Sequence, residues 1–174
     1  MKIYIVRHGE VLHNALKQYN NENEDLNEKG IRQANELREK IKNINYDIII
    51  SSPLLRTKHT AQIINFNNKK ILINDKLKER DPGDLSGKPI TVTNREEYWN
   101  YNTTISYGTS ENIRDFFMRV YNFLDDLKKE DYESVLIVAH SGVSKAFSGY
   151  FEGIKDGMFL NRGLRNCEIK EYKI

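Results

Sequence analysis

Runs of strand length alternate along this chain with segments of helical period, and that alternation leaves few folds open. Lys2–Val6 (KIYIV) is β-branched and aromatic and stops abruptly at Arg7-His8-Gly9. Tyr46–Ile50 (YDIII) is a second strand candidate, Lys70–Ile73 a weaker third, and Ser134–Ala139 (SVLIVA) the clearest buried one. Ile31, Ala34, Leu37, Ile41 and Ile44 recur at steps of three and four, predicting an amphipathic helix from Glu28 to Ile44. Ile113, Phe116, Phe117, Val120, Leu124 and Leu127 predict another. Ser52-Pro53 reads as an N-cap with Pro at the first helical position, opening a helix to about Ile64. A helix from His140-Ser141-Gly142 to about Phe151 and a last strand over Cys167–Tyr172 complete the pattern.

The expected fold is therefore α/β: a three-layer sandwich, its central sheet mostly parallel, with helices on both faces. A length of 174 residues suits a single domain over residues 1–174 with a substantial core. Lys78–Pro89 carries two Pro and two Gly and reads as loop. Tyr19–Asp25, rich in Asn, reads as solvated loop, and Thr91–Ser110 has no sustained period and reads as irregular.

Charge is nearly balanced, with 27 basic and 25 acidic residues, which argues against a nucleic-acid partner but leaves room for a local basic pocket. The lone Cys167 cannot form an internal disulfide and is expected as a small buried hydrophobe. No apolar run approaches the roughly 20 residues that cross a bilayer, and Met1–Val6 is too short for a signal peptide. No membrane partner and a cytoplasmic location are the expectations.

In open α/β sheets, ligands bind beyond the carboxyl ends of the strands. Two strands here end in histidine followed closely by glycine, at Arg7-His8-Gly9 and His140-Ser141-Gly142. A third ends at Ser51-Ser52-Pro53, with Arg56 one turn into the next helix. Were these strands parallel neighbours, two His and two Arg would meet at one rim and suit a phosphate dianion. Neutral His8 can attack phosphorus, with Gly9 leaving room for close approach. Arg7, Arg56 and protonated His140 can hold the equatorial oxygens. Glu79 is the leading acid for the departing oxygen, with Asp81 and Glu10 as rivals.

Blander roles compete: a solvated helix arginine for Arg56, a solvated charge run for Glu79, a turn cap for Asn14. His13 and His59 read as surface or rim residues, and Arg80 is open between substrate contact and exposed surface. No G-x-x-x-x-G-K-[ST] or G-x-G-x-x-G loop occurs, and the four histidines lack H-E-x-x-H spacing. Cys167 lacks the Gly and Arg of a cysteine phosphatase loop, and Ser141 and Ser144 lie outside any G-x-S-x-G elbow.

Together these segments resemble the histidine phosphatase superfamily, also called the phosphoglycerate mutase-like family. Arg7-His8-Gly9-Glu10 matches its first signature, with Asn14 at the phosphate-contacting Asn. Leu26–Ala34 (LNEKGIRQA) looks like its Leu-Thr-x-x-Gly-x-x-Gln-Ala helix start, and Ser51–Ala61 (SSPLLRTKHTA) its Ser-Ser-Pro-x-x-Arg segment. Leu77–Gly87 (LKERDPGDLSG) resembles the acid-bearing loop, with Glu79 at the carboxylate, and Ser134–Gly142 (SVLIVAHSG) the second-histidine strand. Three departures stand out: Val11 where Ser or Thr is common, His13 where a bulkier residue is common, and an unmatched Thr91–Ser110.

The resemblance implies an enzyme, a phosphoric monoester hydrolase of the histidine acid phosphatase type. It would pass through phosphohistidine at His8, with Glu79 as general acid/base and His140 as the second histidine. Arg7, Asn14, Arg56 and Ser141 would bind phosphate, with no metal and no cofactor. Residues about 81–112 fall where the family inserts a substrate cover, and a small phosphorylated metabolite is the expected substrate. A cofactor-dependent phosphoglycerate mutase shares the same core residues, and a non-catalytic phospholigand-binding module is the reading from a different class.

Overall fold

The computed structural model describes residues 1–174. Five strands form one sheet: β1 (Lys2–Arg7), β2 (Ile48–Ser51), β3 (Ile71–Ile73), β4 (Ser134–Ala139) and β5 (Ile169–Lys173), in the order β3-β2-β4-β1-β5. All neighbours are parallel except β5, which runs antiparallel to β1 at the edge.

The helices are α1 (Leu12–Ala15), α2 (Glu28–Ile41), α3 (Leu55–Ile64), α4 (Arg95–Tyr98), α5 (Ile113–Leu127) and α6 (Ser141–Glu152). Successive strand residues point to opposite faces. Tyr4, Val6, Ile49, Leu136 and Val138 pack against Ala34, Leu37 and Ile41 of α2 and Ala61 and Ile64 of α3. Ile3, Ile5, Ile50, Val135 and Ile137 pack on the other face against the aromatic side of α5 and against α6. This is the expected three-layer sandwich. Within it Phe117 is fully buried, so Phe117→Ala would cost roughly 3–5 kcal/mol.

Local boundaries depart from the sequence reading where a tertiary contact competes. The helix expected at Ser52-Pro53 opens two residues later, with Leu54 as its N-cap. The hydroxyl of Ser52 accepts only a long bond from Leu54 N at 3.4 Å and lies closer to His140 Nε2, at 2.8 Å. Helix α2 stops at Ile41 rather than Ile44, and Ile31 lies at its exposed edge while Gly30 is buried. The irregular stretch after Thr91 contains α4, and it buries Tyr98 and Trp99 in the larger apolar cluster.

Candidate active site

Strand pairing brings the candidate residues together. Arg7 is level with Ala139, and Ser51 with Val138, so β1, β4 and β2 end at one rim. The backbone N–H of His8 donates to the Ala139 carbonyl at 3.0 Å, and that of Ser52 to Val138 at 3.1 Å. His8 and His140 are buried, their rings 5.2 Å apart at 64°.

The state of His8 follows from one bond. Its Nδ1 lies 2.7 Å from the Gly9 carbonyl, which can only accept, so Nδ1 carries the proton and Nε2 the lone pair. Burial, then the Arg56 and Arg7 guanidiniums, holds His8 well below the usual histidine range. A neutral imidazole with a free Nε2 can act as a nucleophile. The space beside Gly9, expected to admit a ligand, is filled by backbone: a Cβ there would lie 2.5 Å from the Gly30 carbonyl oxygen. Glycine serves the close approach of β1's end to α2.

Arg56 is buried, and its Nη1 donates to the Asn21 carbonyl at 2.8 Å. Arg7 Nη1 donates to Leu164 at 3.0 Å. Neither guanidinium has a carboxylate partner within ion-pair distance. Each retains a buried Nε–H without an acceptor, and His140 Nδ1 is likewise unpartnered. Buried cations arranged this way are costly until an anion arrives. His140 differs from expectation in its charge. Burial, then Arg56, His8 and Arg7, keeps it well below the usual range and so neutral near pH 7. A phosphate dianion would reverse that field and favour the imidazolium.

Glu79 follows a 3-10 turn at Asp75–Leu77 and reaches the start of α6. Its Oε2 accepts from Gly142 N at 3.0 Å and its Oε1 from Arg80 N at 2.9 Å. Its rivals are otherwise engaged. Glu10 takes bonds from Lys29 and Asn27, and the Lys29 bond chiefly pulls its carboxyl below the usual range. Asp81 Oδ1 caps Gly83 N at 2.8 Å.

Asn14 lies on the pocket wall, with its Oδ1 accepting from Asn166 Nδ2 at 3.3 Å, and Ser141 opens α6 on the same wall. His13 is a rim residue paired to Glu24, whereas His59 lies outside, paired to Asp25. Arg80 is neither exposed nor free. Its Nε donates to Glu111 O at 2.8 Å, its Nη1 to Tyr98 O at 2.5 Å, and it lies 4.0 Å over the Tyr98 ring. The Cys167 thiol, partly buried, is pushed up to about 12 by burial, consistent with an inert hydrophobe.

Sequence reasoning missed several neighbours, because a helical pattern such as that around Arg119 and Lys145 shows only which face is apolar, and Trp99 and Asn166 lie in segments without one. Arg119 donates to the carbonyls of Lys76 and Lys78 at 2.8 and 3.0 Å and forks onto Glu111, fixing the loop that bears Glu79. Asn166 donates to the His8 carbonyl at 3.0 Å from a turn in which Cys167 takes the left-handed conformation, φ 53°. Lys145 and Trp99 line the same pocket, whose volume is about 870 Å³. No three His, Cys, Asp or Glu side chains are grouped to hold a metal ion, and no helix is long and apolar enough to cross a membrane.

Known proteins share this framework. Residues 3–174 match the family model of the histidine phosphatase superfamily (branch 1). The chain is 34% identical over 178 residues to the Bacillus subtilis (strain 168) protein named "Uncharacterized phosphatase PhoE", covering 98% of this chain and 90% of that one. It is 30% identical to the Yersinia pestis (strain Pestoides F) protein named "Probable phosphoglycerate mutase GpmB", over 97% of this chain and 83% of that one. Among solved structures, a phosphoserine phosphatase mutant from Entamoeba histolytica in complex with phosphoserine superposes with a TM-score of 0.82. That match has 27% identity and covers 98% of this chain and 89% of that one.

Proposed function

This chain belongs to the histidine phosphatase superfamily, and from that premise we propose that it is a metal-independent phosphomonoesterase working through phosphohistidine at His8. One observation carries the reading: the His8 tautomer leaves Nε2 free beside two guanidiniums that have no carboxylate of their own. The Nε2 lone pair attacks phosphorus, forming the P–N bond as the ester P–O bond breaks. Arg7, Arg56 and a His140 protonated in the phosphate's field take up the charge on the equatorial oxygens, with Asn14 and Ser141 contributing polar contacts. Glu79 delivers a proton to the departing oxygen. In the second half, Glu79 takes a proton from the water that attacks phosphorus, the P–N bond breaks and neutral His8 returns. Residues about 81–112 serve as the substrate cover, and the chemistry is placed in the cytoplasm.

Transient phosphorylation tests this directly. Rapid quenching with a ³²P-labelled substrate should trap acid-labile, alkali-stable label on the native chain, in EDTA as well as without it. His8→Ala should lose both label and turnover while keeping its fold by circular dichroism. Full turnover in that variant would refute the nucleophile.

The mutase reading draws on the relative named a phosphoglycerate mutase and on the Lys78–Gly87 loop. The phosphatase is favoured because Thr91–Ser110 is a short, polar cover, and a mutase must keep water from phosphohistidine while it holds its intermediate.

A further inference from the structure

Lys145 is a buried cation that the phosphoryl chemistry does not use. It lies in α6, is 4% exposed and lines the pocket. Its Nζ donates to the Phe159 carbonyl at 2.8 Å and also to that of Leu160. An ammonium has three N–H donors, so one is left without a protein acceptor. No carboxylate lies within ion-pair distance of it. Burial pushes Lys145 down to about 7, against the opposing pull of the more distant Glu79 carboxylate.

A second donor stands beside it. Nζ lies 5.0 Å from the Trp99 ring centroid, and the Trp99 indole N–H is buried with no partner. Trp99 also lines the pocket. Ser141 shares the notch: a Cβ placed on Gly163 would meet Ser141 Oγ at 2.5 Å and Lys145 Nζ at 2.9 Å. Ser141 and Lys145 are four residues apart on α6, hence on one face and about 6 Å apart along the axis.

A neutral acceptor would satisfy the spare N–H groups but leave the charge uncompensated. A carboxylate does both, and its two oxygens suit two donors. A group bound one helical turn from the phosphoryl site would be separated from phosphorus by two or three carbons.

We propose that Lys145 and Trp99 form a subsite for a carboxylate on the leaving group, so that the preferred substrates are small phosphorylated hydroxy or amino acids. This rests on the phosphatase reading of the His8 site.

The test compares 3-phosphoglycerate with glycerol 3-phosphate, which differ in a carboxylate against a hydroxymethyl group, with p-nitrophenyl phosphate as a reference. Native enzyme should favour the acid in kcat/KM by about 10- to 100-fold, the size of one charge-assisted hydrogen bond. Lys145→Met should collapse that ratio toward one, Trp99→Phe should lower it in part, and Lys145→Arg should restore most of it. A native ratio near one would overturn the subsite. So would an equal loss on all three substrates in Lys145→Met, which would assign Lys145 to holding the Phe159–Leu160 backbone. Failure of the native enzyme to hydrolyse any of the three would instead strike the phosphatase reading.

Discussion

Gly142→Ala tests how Glu79 is positioned without touching the carboxylate itself. A Cβ at Gly142 would lie 2.0 Å from Glu79 Oε1 and 2.9 Å from Trp99 Cη2. An ordinary contact is about 3.5 Å, so the carboxylate must retreat by about 1.5 Å, straining its bond from Gly142 N. Misplacement of a catalytic group by an ångström costs about 10²-fold, and an acid as a whole contributes roughly 10²–10⁴-fold. Glycerol 3-phosphate, whose alkoxide needs a proton, should therefore lose about 10²-fold in kcat/KM. p-Nitrophenyl phosphate, whose phenolate leaves readily, should lose only several-fold. Glu79→Gln should show the same split, more deeply. Stability should change little: alanine gains up to about 1 kcal/mol of helix propensity, and the Trp99 contact returns a strain of similar size. Steady-state kinetics on the two esters, with urea unfolding as the control, reads all of this. Equal losses on both esters would refute Glu79 as the acid and leave it a pocket-shaping role.

Two further expectations concern pH and the fate of the phosphoryl group. His8 and His140 have folded pKa values below their unfolded value near 6.5, so below that pH the unfolded chain binds protons that the native state refuses. Stability should then fall as pH drops, at up to about 1.4 kcal/mol per pH unit for each histidine. Urea midpoints at pH 7.5 and 5.5 should show a shallower fall in His140→Asn than in the native chain, and parallel falls would contradict the assignment of neutral histidines. With 3-phosphoglycerate and a 2,3-bisphosphoglycerate primer, inorganic phosphate should accumulate with little 2-phosphoglycerate; rapid interconversion without phosphate release would promote the mutase.

Much of the site was legible because its parts lie at strand ends and in short local segments. His8 and His140 each end an apolar run, and Arg56 follows Ser51-Ser52-Pro53 by one turn, so an α/β alternation sufficed to suggest a shared rim. Pairing of β1 and β2 with β4 brings these residues together as that pattern required. Boundaries were less legible. Ser52 carried every mark of an N-cap, yet its hydroxyl bonds to a histidine 88 positions away, and no local signal encodes such a partner.

Protonation state, orientation and the rest of the pocket were decided by the tertiary structure. The free Nε2 of His8 depends on the carbonyl of Gly9, and its neutrality on burial beside guanidiniums from separate elements. Arg80 is indistinguishable in sequence from a surface arginine until Tyr98 and Glu111 close around it. Arg119, Lys145 and Asn166 belong to segments whose patterns say only which face is apolar. Hydrophobic periodicity records burial, which is local in sequence, and so the layers could be read from the chain. The pairing of donors, acceptors and charges across those layers depends on distances that exist only once the chain has folded.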